Sequence, residues 1–219
     1  MKITFLAHAS FLIVTKNGTK IITDPYKAQC FGGALGYRPI KESADIVLIS
    51  HEHDDHNGIS DILGKPQVIK GAGNWTIQGI KIFGISTYHD TQKGVARGQN
   101  IIYIIEADGL RIAHLGDLGH ALSKEQIAQI GPIDILLSPV GGHFTIDPKI
   151  ASEIFITLNP RIMIPMHYKT RVLNFPIVTV EEFLKDKKDV KKINNSEIEI
   201  SKESLPKIPE IWVLKMAKE

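Results

Sequence analysis

The stretch Ser50-His51-Glu52-His53-Asp54-Asp55-His56 constrains this chain more than any other. It places three histidines and three acids in six residues, directly after the apolar run Ile46-Val47-Leu48-Ile49. A β-branched run without polar alternation reads as a strand buried on both faces. Buried charges must be paired or bound to metal, so the cluster cannot continue into the core. The strand has to end at the margin of a sheet. Where extended chain gives way to a turn, alternation sends His51 and His53 to the same side. Asp55 and His56 follow on the turn, and Asn57-Gly58 brings the chain back. One short segment can thereby feed two adjacent metal ions.

Composition decides which ligands are available. Cys30 is the only cysteine among 219 residues, against nine histidines. That excludes intramolecular disulfides, a four-cysteine zinc site and a cysteine-held iron–sulfur cluster. Any metal must rest on histidine and carboxylate. Lys plus Arg number 26 and Asp plus Glu 24, a net +2 that announces neither a nucleic-acid nor a membrane surface. No run reaches the about 18 apolar residues of a membrane helix. Met1–Val14 lacks the basic start and cleavage site of a signal peptide. With the lone cysteine, this points to the cytoplasm.

Elsewhere the chain reads as short strands between glycine-bearing turns. Strands are predicted at Lys2–Leu6, Ser10–Thr15, Lys20–Thr23, Ile46–Ser50, Gln67–Lys70, Ile80–Ser86, Asn100–Glu106, Leu110–His114, Ile133–Ser138 and Arg161–Met166. Asn17-Gly18 and Asp108-Gly109 are hairpin turns. Ser123 with Gln126 is a capping box, Asp147-Pro148 an N-cap with proline in the first turn, and Thr179 with Glu182 caps a segment to about Asp186. Gly58–Leu63 adds a short helix, and the charge run Lys185–Lys192 reads as a solvated helix end and loop. No linker or repeat divides the chain, so residues 1–219 are expected to form one domain. A buried strand leads to His51, to Gly141 and to His167, which gathers the chemistry at strand ends on one edge.

His-x-His-x-Asp-His after a hydrophobic strand resembles the signature of the metallo-β-lactamase superfamily. The resemblance runs from His8 to about Lys169, with His89 in Ser-Thr-Tyr-His, Asp117 in His-Leu-Gly-Asp and His167 in Pro-Met-His-Tyr following in order. It implies an α/β (α+β) fold, a four-layer αβ/βα sandwich of two mixed β-sheets flanked by helices, with metals at the sheet edge. It also implies that His51, His53 and His89 hold one divalent ion and Asp55, His56 and His167 another, with Asp117 bridging. Asp54 competes with Asp55 on sequence; spacing favours Asp55 and leaves Asp54 as an acceptor for a histidine N–H. Without thiolates, zinc or manganese is expected, with iron or nickel open. The segments Leu6–Ile13, Ile22–Pro25, Gly116–His120 and Pro139–Thr145 resemble the branch that contains ascorbate-6-phosphate lactonase, with Ala7 in place of its usual glycine.

The resemblance implies a hydrolase in which a metal-bridging hydroxide attacks an ester, lactone or phosphodiester of a small anionic metabolite. Asp117 would orient the nucleophile. His143, after Gly141-Gly142, would hydrogen-bond the leaving group or oxyanion. Arg97, Lys169, His8 and Tyr37 are candidate substrate contacts. His8 and His120 stay undecided, and His114 is expected beneath Asp117. The loop Phe31–Tyr37 is either a lid or a plain connection. An iron-dependent redox enzyme of the sulfur dioxygenase kind and an RNA or nucleotide phosphodiesterase are the alternatives. The absence of a basic arm argues against nucleic acid as a partner. A small-molecule substrate, no membrane contact and an open question of homo-oligomerisation complete the expectation.

Overall fold

The computed structural model describes residues 1–219. Its strands are β1 (Lys2–Ala7), β2 (Ser10–Val14), β3 (Lys20–Thr23), β4 (Ile46–Ile49), β5 (Gln67–Lys70), β6 (Gly73–Ile77), β7 (Ile80–Tyr88), β8 (Gln99–Ala107), β9 (Leu110–His114), β10 (Ile135–Pro139), β11 (Ile162–Met166), β12 (Val190–Ile193), β13 (Glu197–Glu199) and β14 (Glu210–Leu214). Helical segments are the single turn α1 (Cys30–Gly33), α2 (Lys124–Ile130), α3 (Pro148–Leu158) and α4 (Val180–Leu184). Two mixed sheets form, in the orders β13-β1-β2-β3-β4-β5 and β12-β14-β11-β10-β9-β8-β7-β6. A continuous cluster of 59 buried apolar residues draws on strands of both sheets. Helices α2 and α3 pack on the eight-stranded sheet, and α4 packs on α3. No helix is long and apolar enough to cross a membrane.

Strand direction positions the site. β1 and β3 both run antiparallel to β2 and so share a direction, and β4 and β5 continue parallel to β3. In the other sheet β7 and β9 both oppose β8, and β10 and β11 lie parallel to β9. The C-terminal ends of β1, β3 and β4 thus share one edge of their sheet, and those of β7, β9, β10 and β11 one edge of theirs. The four residues of β4 are all buried, as are all five of β10 and of β11, as their apolar runs require. The Tyr103 hydroxyl on β8 crosses between the sheets to donate to the Ile49 carbonyl on β4 at 3.0 Å.

Local signals translate well. Asp108 and Gly109 adopt φ of 55° and 77°, the paired left-handed values of a two-residue hairpin. Ser123 Oγ accepts from the Gln126 amide at 3.2 Å while Gln126 Oε1 accepts from the Ser123 amide at 2.9 Å. Asp147 Oδ1 accepts from the Ile150 amide at 2.8 Å. The segment after Thr179 is shorter than expected: Thr179 makes no side-chain cap and α4 stops at Leu184. The Gly58–Leu63 helix reduces to a 3-10 turn over Ile59–Asp61. The last three residues of the charge run, Val190 to Lys192, are strand rather than loop. β12 is the outer strand of its sheet, parallel to β14, and Lys191 pairs with Glu210 at 2.8 Å. Lysines on an outer strand guard a free edge, so the run carries solvation and pairing together.

Replacing Tyr103 by Phe should leave the Ile49 carbonyl without its cross-sheet donor. The expected cost is about 1–2 kcal/mol, read as a lower urea midpoint with an unchanged slope; an unchanged midpoint would remove the tie from the account of how the sheets are joined.

Candidate metal centre

Six strand ends deliver ionisable side chains to one place: His8 after β1, Asp24 after β3, His51–His56 after β4, His89 after β7, Asp117 after β9 and His167 after β11. Asp117 lies among the imidazoles. Its Oδ1 is 3.2 Å from His56 Nε2, and its Oδ2 is 3.3 Å from His167 Nε2, 3.4 Å from His89 Nε2 and 3.9 Å from His51 Nε2. His51, His53 and His89 gather ligand atoms within 4.8 Å of one another on one side; His8, Asp55, His56 and His167 do so on the other. His51, His56 and Asp117 make a third such group that links them. All but His53 are buried.

The nitrogens and oxygens that converge are without partners. His51 Nε2, His56 Nε2, His167 Nε2 and Asp117 Oδ1 are buried and accept or donate no hydrogen bond. Isolated buried polar atoms are costly, and several aimed at one point fit a cation. Imidazole nitrogens with carboxylate oxygens form a donor set suited to zinc, manganese, iron or nickel.

Asp24 explains why two of those nitrogens, on His56 and His51, are free. Its Oδ1 accepts from the Ser50 amide at 2.7 Å, and its Oδ2 accepts from Ser50 Oγ at 2.7 Å, His56 Nδ1 at 3.0 Å and His114 Nε2 at 2.8 Å. Because the carboxylate only accepts, His56 carries its proton on Nδ1 and leaves Nε2 as a lone pair. Ser50 Oγ, spending its proton on Asp24, accepts from His51 Nδ1 at 2.9 Å, which frees His51 Nε2 as well. Burial alone would raise the Asp24 pKa, but the His114 and His56 imidazoles outweigh it and hold the carboxyl well below its ordinary range. Burial also opposes charge on His56, yet Asp117, Asp55 and Asp24 push its pKa up, a field that equally favours a cation. His51 is pulled down to about 3, chiefly by burial and then by His56.

The backbone is shaped to match. His8, Asp24 and His167 sit at φ of 58°, 39° and 51°, left-handed values that cost a non-glycine residue about 1 kcal/mol or more each and that cluster at functional sites. The His167 amide donates to the His8 carbonyl at 2.8 Å and the Ile101 amide to the Ser50 carbonyl at 2.9 Å, joining the two sheets at the site. Gly116, also at positive φ, lies where a Cβ would strike Asn100 Oδ1 and Ser50. That close approach lets Asn100 Oδ1 accept from the Asp117 amide at 2.9 Å.

Beside this cluster lies a cavity of about 400 Å³ lined by His53, Asp55, His89, Asp117, His167, Phe31, Arg97, Phe144 and Phe175. Arg97 therefore reaches the site. His8 is fully buried, its Nε2 3.1 Å from Asp55 Oδ2, so it orders a carboxylate and does not contact the cavity. Four further expectations need correction. His143 is exposed and absent from the lining; its left-handed φ of 60° puts Phe144 there instead, with the imidazole edge-on to that ring at 4.5 Å. Tyr37 is buried behind His8, its hydroxyl 3.1 Å from Thr170 Oγ1. Lys169 gives its ammonium to the Phe175 carbonyl at 2.8 Å, which ties down a loop. Asp54 is exposed and pairs with Lys27 at 2.5 Å, away from any histidine. His114 does hydrogen-bond in the core, and His120 Nε2 accepts from the Tyr88 amide at 3.2 Å, bracing the strand before His89.

Sequence reasoning missed the roles of Asp24, Ser50, Asn100 and Asp90. Asp90 Oδ1 accepts from the amides of Gln92 and Gly94, and its Oδ2 from those of Ala96 and Arg97, winding the loop that presents Arg97 around one carboxylate. The available signal was position: Asp24 ends a buried strand, and Asp90 follows a site histidine and precedes a glycine-rich loop.

Two measurements follow. Asp24→Asn keeps the shape but offers a donor where donors already converge, and metal affinity should fall about 10–100-fold in a competition titration. In metal-free protein, His8 and His51 stay neutral to about pH 4 and 3, both chiefly through burial, whereas unfolded imidazoles protonate near 6.5. Unfolding then takes up protons, so stability should decline as pH is lowered from 6.5 to 4, read as a falling urea midpoint in chelator. His56, whose pKa is raised, contributes stability that is complete below 6.5 and does not offset that decline. A flat profile would contradict the neutral burial of His8 and His51.

A family model described as the beta-lactamase superfamily domain matches residues 2–167. The chain is 32% identical over 195 residues to the UPF0173 metal-dependent hydrolase of Thermococcus onnurineus, covering 78% of this chain and 85% of that one. It is 33% identical over 199 residues to the UPF0173 metal-dependent hydrolase of Pelotomaculum thermopropionicum, with the same shares covered. A crystal structure from Thermotoga maritima, assigned to the zinc-dependent hydrolases of the metallo-beta-lactamase superfamily, superposes with a TM-score of 0.82 at 36% identity over 98% of each chain. With the match spanning both sheets and all the histidines of the cluster, this chain belongs to the beta-lactamase superfamily.

Proposed function

We propose that the chain is a metal-dependent hydrolase holding two divalent ions, zinc or manganese by its donor set, one at His51, His53 and His89 and one at Asp55, His56 and His167, with Asp117 between them. The observation that carries this reading is the Asp117 carboxylate within 3.9 Å of four histidine Nε2 atoms, beside a cavity open to a small molecule. The family's metal-dependent hydrolases support it. Bound divalent ions would supply an acidified water and polarisation of a carbonyl or phosphoryl oxygen.

The chain's own groups do the rest. Asp24 and Ser50 keep the lone pairs of His56 and His51 turned to the centre. Asp117, held ionised against its burial by the His167 and His56 imidazoles, would accept a hydrogen bond from a water and so orient it. Arg97 binds an anionic group of the substrate. The reaction is hydrolysis of an ester, lactone or phosphodiester of a small anionic metabolite, in a protein whose single cysteine suits the cytoplasm.

Protein purified without chelator should contain about two metal ions per chain. His53→Ala removes an exposed side chain, so it should fold normally yet lose one ion and turnover; Asp117→Ala should lose turnover as well. A panel of lactones, aryl esters and phosphodiesters, assayed with the metal found, measures this. Full activity in either variant would refute the mechanism.

A further inference from the structure

Four of the cavity's nine lining residues play no part in holding ions: Phe31, Phe144, Phe175 and Arg97. They form a continuous run. The Phe31 and Phe175 ring centroids are 5.8 Å apart, those of Phe175 and Phe144 are 5.4 Å apart, and the Arg97 guanidinium carbon lies 5.6 Å from the Phe144 centroid. Phe31 is 53% exposed, a large ring held at the mouth. The half-buried Arg97 guanidinium makes no ion pair and no side-chain hydrogen bond with the protein.

This wall is built in advance. The Asp90 carboxylate fixes the backbone at Arg97, the Lys169 ammonium holds the Phe175 carbonyl, and the Asn174 amide donates to the Ala34 carbonyl at 2.7 Å, joining the loops that bear Phe175 and Phe31. Aromatic rings favour offset or edge contact with another ring, and a guanidinium over a ring keeps its planar fork of donors for an oxyanion.

We propose that Phe31, Phe175, Phe144 and Arg97 form a subsite for a flat aromatic group adjoining an anion, which makes the substrate an anionic aryl ester or aryl phosphodiester. The inference deepens the hydrolase reading and rests on it for turnover, whereas binding tests the subsite alone.

The test is calorimetric titration of the protein, as purified with its metal, with phenyl phosphate, cyclohexyl phosphate and methyl phosphate. Phenyl phosphate should bind about tenfold more tightly than either of the others. Phe31→Ala and Phe144→Leu should each narrow that ratio, the former without risk to the core because the ring is exposed. Arg97→Gln should weaken all three ligands by a similar factor and keep the ratio. Equal binding of phenyl and cyclohexyl phosphate, a ratio unchanged in both Phe variants, or an Arg97→Gln variant that binds as the parent does would overturn the proposal. No turnover on any ester, with the binding ratio intact, would refute the hydrolase reading and leave the subsite standing.

Discussion

One carboxylate organises the centre. Asp24 takes four hydrogen bonds, from an amide, a hydroxyl and two imidazoles, and those donors come from β9 in one sheet and from the segment after β4 in the other. Remove the charge and nothing sets the tautomer of His56, nor, through Ser50, that of His51. Every later property depends on that choice, because a ring nitrogen that carries a proton cannot be a ligand. The distances around Asp117 are the visible result, and the buried, neutral state of His51 is the electrostatic one.

Much of this was legible in the chain because the signals are local. An apolar run that stops at a histidine cluster must end a strand at a margin, and the hairpin and capping residues fix their own turns. The proposed ligands, scattered from His51 to His167, could be ordered by resemblance and by the strand before each. What stayed hidden was non-local. Asp24 gives no local sign that it will meet Ser50, His56 and His114, since that meeting depends on how β3, β4 and β9 stack. His143 and Lys169 looked available because sequence shows neighbours along the chain, whereas a left-handed φ and a carbonyl six residues away decided where they point. The strands after Asp189 were missed for a related reason: β12 is lysine-rich because it lies at an edge, and charge reads as loop when the partner strand is not in view.

The cavity divides its chemistry by residue type. Its histidines and carboxylates come from the segments that follow β4, β7, β9 and β11, with Arg97 the one ionisable lining residue on a loop. Its aromatic lining comes from loops, where Phe31 sits on a single turn and Phe175 on a segment tied by Lys169. Loops of this kind carry differences between related proteins while the scaffold stays fixed. In this chain those loops are nonetheless held in place, by Asp90 on one side and by the contact between the Asn174 amide and the Ala34 carbonyl on the other.

The bond from the His167 amide to the His8 carbonyl gives the site a second meaning. Together with the Ile101–Ser50 bond and the His114–Asp24 pair, it stitches the two sheets at the very rim where the imidazoles meet. Deeper in, the Tyr103 hydroxyl on Ile49 apart, the sheets are held chiefly by apolar contact, which is non-directional and tolerates sliding. The polar stitches fix their register. The rim therefore works as a clasp: separation of the two layers along this edge and dispersal of the centre are one event, and an ion seated between the layers would fasten both at once.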